Sequence, residues 1–410
     1  MIECRAVKSE ELDAMLSLMC DAFGLPFGPA RELFYKDPYF DIDRKRVLVI
    51  DGEIGSCLTI VEAPLWIGRA VVNVAGIAGV ATAPAHRRKG YAARLLVETL
   101  PAIREMGCPF AALFPFSYDY YRKLGWERVG TQYTARVPCS TMPKFAEARH
   151  VRTAHSADRP DIARIYKART LLKTGRWVRD ERRWSYLFDH VKSHVVYKHN
   201  SLDGYALYET RDDPGGRSIR ILEMYTVSEE ARRGLLGYVA QLADVQTLSW
   251  TTSLADLLAS GFLAQSDIGP DGSPAISPEP GPMFRIVDLS AALTALTPNF
   301  EGWKGEMLAT MTDSQVPAEW PRGARMTGDE TGIHVEPIGK GDPLLRSRNR
   351  IDGDVRAWTQ TLTGFLSLQD AVSLNRLRAF DPGWAAAAGQ TASKPIFPRR
   401  ELFIPAADHF

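Results

Sequence analysis

The strongest constraint on this chain is the stretch from Ala70 to Leu96, where an apolar run passes through a basic loop into an amphipathic helix. Residues Ala70 to Val80 are almost wholly apolar, the pattern of a long central strand. Pro84 stops the ladder because it has no N–H to donate. After Arg87-Arg88-Lys89-Gly90 a helix is expected, with Leu95, Leu96, Leu100 and Ile103 along its apolar face. Gly90 and the small Ala92 allow backbone to approach a ligand without interference from a Cβ. Free N–H groups at the helix start, together with the helix dipole, favour an anion there. The three cationic residues supply local positive charge in a chain whose formal net charge is only +1. A pyrophosphate group suits such a loop. It is not a Walker A loop, which ends in Gly-Lys-Ser/Thr, nor a GxGxxG dinucleotide turn.

The surroundings predict a mixed α/β segment. A strand over Ile2 to Val7 precedes a helix from about Ser9, with Leu12, Met15, Leu16 and Met19 on one face. Strands over Arg46 to Ile50 and Ser56 to Ala63 join through Asp51-Gly52, a hairpin signal. Downstream of the basic loop come a buried strand over Pro109 to Phe116, a short helix over Tyr118 to Leu124 and a final strand over Arg128 to Val137. A second segment repeats the plan. Helices are expected over Asp158 to Ala168 and within Trp177 to His190. Paired strands follow over His194 to His199 and Gly204 to Thr210, then a turn at Asp212 to Gly216 and a strand over Arg220 to Val227. A helix from Ser228 opens with Glu229 and Glu230. Residues 266–283 are rich in Pro, Gly and Ser and read as a long loop or the approach to a third part. Beyond them FRIVDLSAALTAL predicts a strand running into a helix, followed by a short strand over Gly332 to Pro337 and helices near 354–366 and 369–379.

At 410 residues the chain is long enough for two or three domains. A hydrophobic share of 45% with 24% charged residues excludes disordered and membrane compositions, and the near-neutral charge gives no reason to expect nucleic acid as a partner. Five cysteines without a CxxC pair argue against a disulfide framework or zinc site and for buried thiols in a reducing compartment. No membrane span is expected. The location expected is the cytoplasm.

Arg87-Arg88-Lys89-Gly90-Tyr91-Ala92 matches the R/Q-x-x-G-x-G/A loop of GCN5-related N-acetyltransferases (GNAT). The longer run GVATAPAHRRKGYAARLL, with PFSYDYYRKLGWERVG downstream, resembles the Eis (enhanced intracellular survival) subfamily. The resemblance is specific in motif for residues 76–130 and the last residue, and covers the rest in layout. It implies an α/β (α+β) architecture of tandem GNAT folds with mixed central sheets, followed by a sterol carrier protein-like α/β domain. The parts would be 1–145, the catalytic domain; 146–283, a second, degenerate GNAT domain; and 284–410, the sterol carrier protein-like domain.

The resemblance also implies roles. Acetyl-CoA is the co-substrate, and no metal is required. Val80, Ala81 and Thr82 would hydrogen-bond the pantetheine arm. Arg87, Arg88, Lys89, Gly90, Tyr91, Ala92 and Ala93 would surround the pyrophosphate, with Phe116 and Ser117 at the pantetheine end. Direct transfer to a bound amine draws on positioning and on backbone donors facing developing negative charge. Tyr121 falls where the family keeps a tyrosine that protonates the departing thiolate; from this sequence alone Tyr118 and Tyr120 compete with it. A phenol near pKa ~10 gives a proton to a thiolate of pKa ~8.5 at small cost. The family's base is the carboxylate of the last residue, here Phe410, with Asp408 and His409 as alternatives. A carboxylate near pKa ~3.5 needs burial, or a water, to act as a base. In the second segment Glu229 and Glu230 stand where phosphate would bind, so no second CoA site is expected.

The implied partner is a small-molecule amine: an aminoglycoside, another polyamine or a lysine side chain. Asp21, Glu32 and Asp37 are candidates for an acidic amine-binding surface, and equally for solvated helix charges. Alternatives are a protein or peptide N-acetyltransferase, or a lipid-binding scaffold with a vestigial GNAT fold. The family forms hexamers, which makes a homo-oligomer the expectation.

Overall fold

The structure, a computed structural model, describes residues 1–191, 193–213, 216–259, 275–381, 383 and 395–410. These form two compact units, neither contiguous in sequence: residues 1–129, 282–401 and 410 make the first, and residues 130–281 and 402–409 the second.

The first unit is built on a seven-stranded mixed sheet. Its strands β1 (Ile2–Ala6), β2 (Lys45–Ile50), β3 (Glu53–Ile67) and β4 (Ala70–Thr82) form an antiparallel meander, with Asp51 and Gly52 as the two-residue turn between β2 and β3. Helices α1 (Leu12–Phe23) and α2 (Phe27–Lys36) lie between β1 and β2 in sequence. The expected face of α1 is largely the buried one, with Leu12, Met15 and Leu16 in the core and Met19 half-buried. After β4 the chain passes through α3 (Tyr91–Glu98) and α4 (Leu100–Glu105) and returns as β5 (Phe110–Leu113), parallel to β4. That parallel pairing needs the crossover helices, whose Leu95, Leu96, Leu100 and Ile103 are all buried beneath the sheet's Leu58, Ile60 and Ala75. A short helix α5 (Tyr118–Arg122) leads to the two-residue strand β6 (Glu127–Arg128).

Here the expectation needs correcting. The stretch Arg128 to Val137 is not one closing strand of the first sheet. It divides after Arg128, and Thr131–Pro138 joins the sheet of the second unit instead. The vacated place between β5 and β6 is filled by Met283–Ile286, antiparallel to both. The expected strand-to-helix passage at FRIVDLSAALTAL is present, with Asp288 accepting the Ala291 N–H at the start of the helix Leu289–Ala295. Arg285, fully buried in the inserted strand, is paired with Asp313. The remainder of the unit carries a five-stranded sheet in the order Ile333–Ile338, Gly323–Gly328, Gly305–Thr312, Arg350–Asp354, Leu377–Ala379. The helix expected near 369–379 ends at Ser373, and Leu377–Ala379 is a strand.

The second unit is another seven-stranded mixed sheet, ordered Ala275–Pro280, Thr131–Pro138, Val245–Thr252, Gly216–Thr226, Leu202–Asp213, Ser193–Lys198, Val151–Thr153. Gly216–Thr226 and Val245–Thr252 are parallel and are connected through the helix Glu229–Ala240, the same crossover plan as β4 and β5. Of the expected loop 266–283, residues 266–274 lie outside the described residues, as do Pro214 and Gly215 of the expected turn. Ala275–Pro280 is an edge strand, a place where its Pro278 and Pro280 cost no ladder bond to a further neighbour.

Among the described residues no helix is long and apolar enough to cross a membrane, and no group of three His, Cys, Asp or Glu could hold a metal ion. All five cysteines are free. Burial pushes the thiols of Cys57 and Cys108 up to about 12, which keeps them protonated and unreactive.

Candidate active site

In the first unit the pairing of β4 with β5 ends at Gly76 and Ala112, although β4 runs on to Thr82. The two parallel strands therefore part, and along the last turn of β4 one edge is not paired with β5. Val80 and Thr82 are half-buried there and Ala81 is buried. The chain then turns through Pro84–His86, and the Arg87 side chain donates back to the Thr82 carbonyl at 3.2 Å. Arg88 has φ 63° and Gly90 φ 81°, so the loop curls twice through the left-handed region before α3 begins. Only glycine takes that conformation without a steric penalty, and Arg88 stands as a strained residue at the loop's tip. Helix α3 follows Gly90 with no side chain capping its first turn, which leaves the N–H groups of Tyr91, Ala92 and Ala93 directed out of the helix start. Arg87, Arg88 and Lys89 are exposed around them, while Tyr91 packs half-buried against the sheet core. Free donors and a positive dipole end follow directly on three exposed cations in the chain, a combination suited to a diphosphate.

The end of β5 supplies the aromatic wall. Phe116 is 78% exposed, and its ring lies 5.3 Å from that of Tyr121 and 5.2 Å from that of Tyr120. Ser117 caps α5 by accepting from the Tyr120 N–H, which fixes the direction in which the tyrosines leave the helix. Tyr121 is buried and touches Trp126 edge-on, whereas Tyr120 is half-buried. Burial raises the phenol of Tyr121 above its ordinary value, and Tyr120 adds to the rise. Such a phenol stays protonated at any physiological pH, as a proton donor must; the same shift makes it a weaker acid than the ordinary tyrosine of the sequence argument. Tyr120 is raised by burial as well.

Phe410 belongs to the first unit and sits where β4 and β5 part. Its ring lies 5.6 Å from Phe114, and a Cβ on Gly76 would come 2.5 Å from its Cδ2. Glycine at position 76 is thus what makes room for the Phe410 ring. Neither Gly76 nor Phe114 was among the residues expected at the site. A glycine inside an apolar strand, a mark of close approach, is the signal that could have found the first.

The residues just before Phe410 belong to the second unit and are tightly held. Asp408 is fully buried; it accepts from Arg179 at 2.8 Å, from Arg183 at 3.2 Å and from the Tyr166 hydroxyl at 3.3 Å. Burial by itself would raise its carboxyl, yet Arg179 and Arg183 hold it below the usual carboxylate value. A carboxylate so engaged is a structural anchor and a poor base, which removes it from the alternatives for the base. His409 is pushed down to about 4 by burial, with a contribution from Arg220, and its Nε2 faces the Ile404 carbonyl at 3.3 Å. A histidine depressed in the folded state binds its proton more readily when unfolded. Stability is therefore present above about pH 6.5 and is lost as pH falls from there toward about 4. His409→Gln is expected to flatten the pH dependence of thermal unfolding across that window by an amount on the order of 2 kcal/mol; an unchanged pH slope would refute the burial of a neutral imidazole.

In the second unit the equivalent gap is closed. The parallel pair separates after Ile221 and Trp250, and there Phe403 and Pro405 pack among Leu222 to Tyr225 and Trp250 to Thr252, leaving about 10 Å³. The following helix is capped as well, since Ser228 accepts from the Ala231 N–H at 3.2 Å and Glu229 is ion-paired with Arg232. Two acids and an occupied cap replace the basic, uncapped start of α3. Of the acidic residues considered for amine binding, Asp21 is exposed, Glu32 is paired with Lys36, and Asp37 accepts from the Tyr39 N–H at 2.8 Å.

The parting strands and the uncapped basic loop define a class, and comparison with known proteins gives the same one. Residues 3–129 and residues 175–286 each match an acetyltransferase (GNAT) domain family. The chain thus carries two acetyltransferase domains of the GNAT class in tandem. An uncharacterized N-acetyltransferase of Streptomyces griseus is 24% identical over 266 residues, 56% of this chain and 61% of that protein. The N-acetyltransferase Eis of Mycobacterium tuberculosis is 26% identical over 245 residues, 56% of this chain and 58% of its own length. The matches thus span about three-fifths of these curated relatives. Among solved structures, a GCN5-related N-acetyltransferase from Kribbella flavida superposes with a TM-score of 0.76 at 20% identity, covering 100% of this chain and 98% of that one. Eis1 from Mycobacterium abscessus gives 0.68 at 20% identity over the whole of both chains. At that identity the likeness is one of fold.

Proposed function

We propose that this protein is an Eis-like N-acetyltransferase that moves the acetyl group of acetyl-CoA to a primary amine in its first GNAT domain. The observation that carries the reading is the uncapped start of α3 just after Arg87, Arg88 and Lys89 in the chain, following a strand that has parted from its parallel neighbour. Gly90, Tyr91, Ala92 and Ala93 would hold the diphosphate through their N–H groups, Val80 to Thr82 the pantetheine arm, and Phe116 with Ser117 its far end. Acetyl-CoA supplies an acyl group on a good sulfur leaving group. The rest falls to the chain: the Tyr121 hydroxyl holds the proton for the sulfur, and the α-carboxylate of Phe410 takes the proton of the amine, directly or through a water.

The acceptor fits the family's small polyamines, aminoglycosides among them, or a lysine side chain. The functional division follows as a catalytic domain over 1–145, a degenerate GNAT domain over 146–283 and a sterol carrier protein-like part over 284–410. A cytoplasmic homo-oligomer, a hexamer as in the family, completes the proposal. Its test is acetyl-CoA binding followed by turnover on an aminoglycoside, a polyamine and a lysine peptide. Turnover on the peptide alone would make it a protein N-acetyltransferase; no acetyl-CoA binding to the first domain would leave a scaffold. Deletion of Phe410 is expected to lower kcat about 10²-fold or more, the smaller end of what general-base catalysis contributes, with acetyl-CoA binding retained. Full activity after deletion would take the carboxylate out of the mechanism.

A further inference from the structure

On the face of the second unit's sheet away from its main core, Leu207, Leu222 and Tyr225 pack against the helices Arg159–Thr170 and Glu181–His190. Another part of that face has a composition that neither the acetyl transfer nor packing explains. In Val245–Thr252 the apolar Leu248 and Trp250 point into the core formed with the helix Glu229–Ala240, while Thr247, Ser249 and Thr251 point to the other side. The neighbouring strands do the same. Ile219 and Ile221 face the core while Ser218 and Arg220 face away, and Ala135 and Val137 face the core while Thr134 and Arg136 face away. Together with Arg211 these residues line a cavity of about 500 Å³. Its floor is recessed, with Thr134 buried and Ser218, Thr247 and Ser249 half-buried.

The charge in this cavity is unbalanced. Three guanidinium groups, Arg136, Arg211 and Arg220, line it with a single carboxylate, Glu279. Arg211 is paired with Glu209 at 3.1 Å, and Glu279 accepts from Ser277. Among the described residues neither the Arg136 nor the Arg220 guanidinium makes a hydrogen bond or ion pair. Arg220 is half-buried, and burial with the nearby Arg211 makes its charged form harder to hold. Arg136 and Arg211 are exposed and Arg220 is the half-buried member. A half-buried guanidinium with no ion-pair partner favours an anion, and guanidinium groups flanked by hydroxyls match the oxygens of a carboxylate or phosphate. The hydroxyls are only partly engaged: Thr134 and Thr251 bond each other at 2.7 Å and Ser249 donates to the Ile219 carbonyl at 3.1 Å.

We propose that this cavity is a binding site for a small anionic molecule carrying a carboxylate or phosphate group, with Arg220 and Arg136 as its principal contacts and the hydroxyl of Thr247 as a donor. The site is separate from the loop of Arg87 to Ala92, and it stands whether or not the transferase reading holds.

The test is calorimetric titration of the full-length protein with inorganic phosphate and, separately, with succinate. Because the α3 loop also attracts phosphate, the titrations use an Arg87→Ala/Arg88→Ala background. One saturable event is expected to remain there, and to weaken about tenfold to a hundredfold on adding Arg220→Ala, the loss of one set of hydrogen bonds to a charged group. Arg220→Lys keeps the charge, guards against misfolding of the alanine variant, and is expected to weaken binding less. Preference for one probe identifies the anion's class. Binding unaffected by both Arg220 variants, or no binding of either probe in the loop-substituted background, overturns the proposal. So does a change of oligomeric state on Arg136→Glu without anion binding, which would make the face an interface between copies.

Discussion

Arg179→Ala is expected to destabilise the second unit by about 3–5 kcal/mol, the cost of removing one partner from a buried ion pair. The Arg179 side chain is fully buried between two carboxylates, donating to Glu223 at 2.8 Å and to Asp408 at 2.8 Å, with the Tyr166 and Trp184 rings against its guanidinium. Without it, Glu223 and Asp408 are left buried, and of the two only Asp408 keeps a second arginine, Arg183. Chemical denaturation followed by the tryptophans reads the loss. Adding Glu223→Gln and Asp408→Asn to Arg179→Met should restore part of it, since replacing a whole buried network costs less than breaking it. A change below about 1 kcal/mol, the range of surface pairs, would mean that water reaches these groups.

Tyr121→Phe is expected to lower kcat about 10²- to 10⁴-fold at nearly unchanged KM for acetyl-CoA, because it removes a proton donor while keeping the ring that packs on Trp126 and Phe116. Tyr120→Phe is the control, with little effect expected. Equal losses in both variants would point to the aromatic cluster as a packing unit. A loss confined to Tyr120 would transfer the role to that residue. The raised phenol of Tyr121 adds a second readout: no fall in rate from its own ionisation is expected up to pH 10 or so.

The strands and the crossover of the first sheet were legible because they are written in local patterns. The apolar run of β4, the Asp51-Gly52 turn and the amphipathic pattern from Leu95 to Ile103 each depend on neighbours within a few residues. The loop from Arg87 to Ala92 was legible for the same reason. Glu229 and Glu230 likewise marked the second helix start as different. Where expectation and structure diverged, the cause was long-range. Thr131–Pro138 reads as a good strand, but nothing local says which sheet will accept it. Residues 275–280 read as loop from their prolines, and only the free edge beside Thr131–Pro138 makes a strand of them. The gap in the second sheet, filled by Phe403 and Pro405, lies more than 150 residues from its filler in sequence, beyond any motif.

By itself, the sequence determined the anion-ready loop, the strand before it and the tyrosines after it, since turn chemistry, periodicity and helix-end electrostatics act over one or two turns of chain. Only the tertiary structure decided that β4 outruns its partner after Gly76, that Phe410 rests on that glycine, and that Asp408 is an anchor held by two arginines. Those depend on burial and on which distant groups share it.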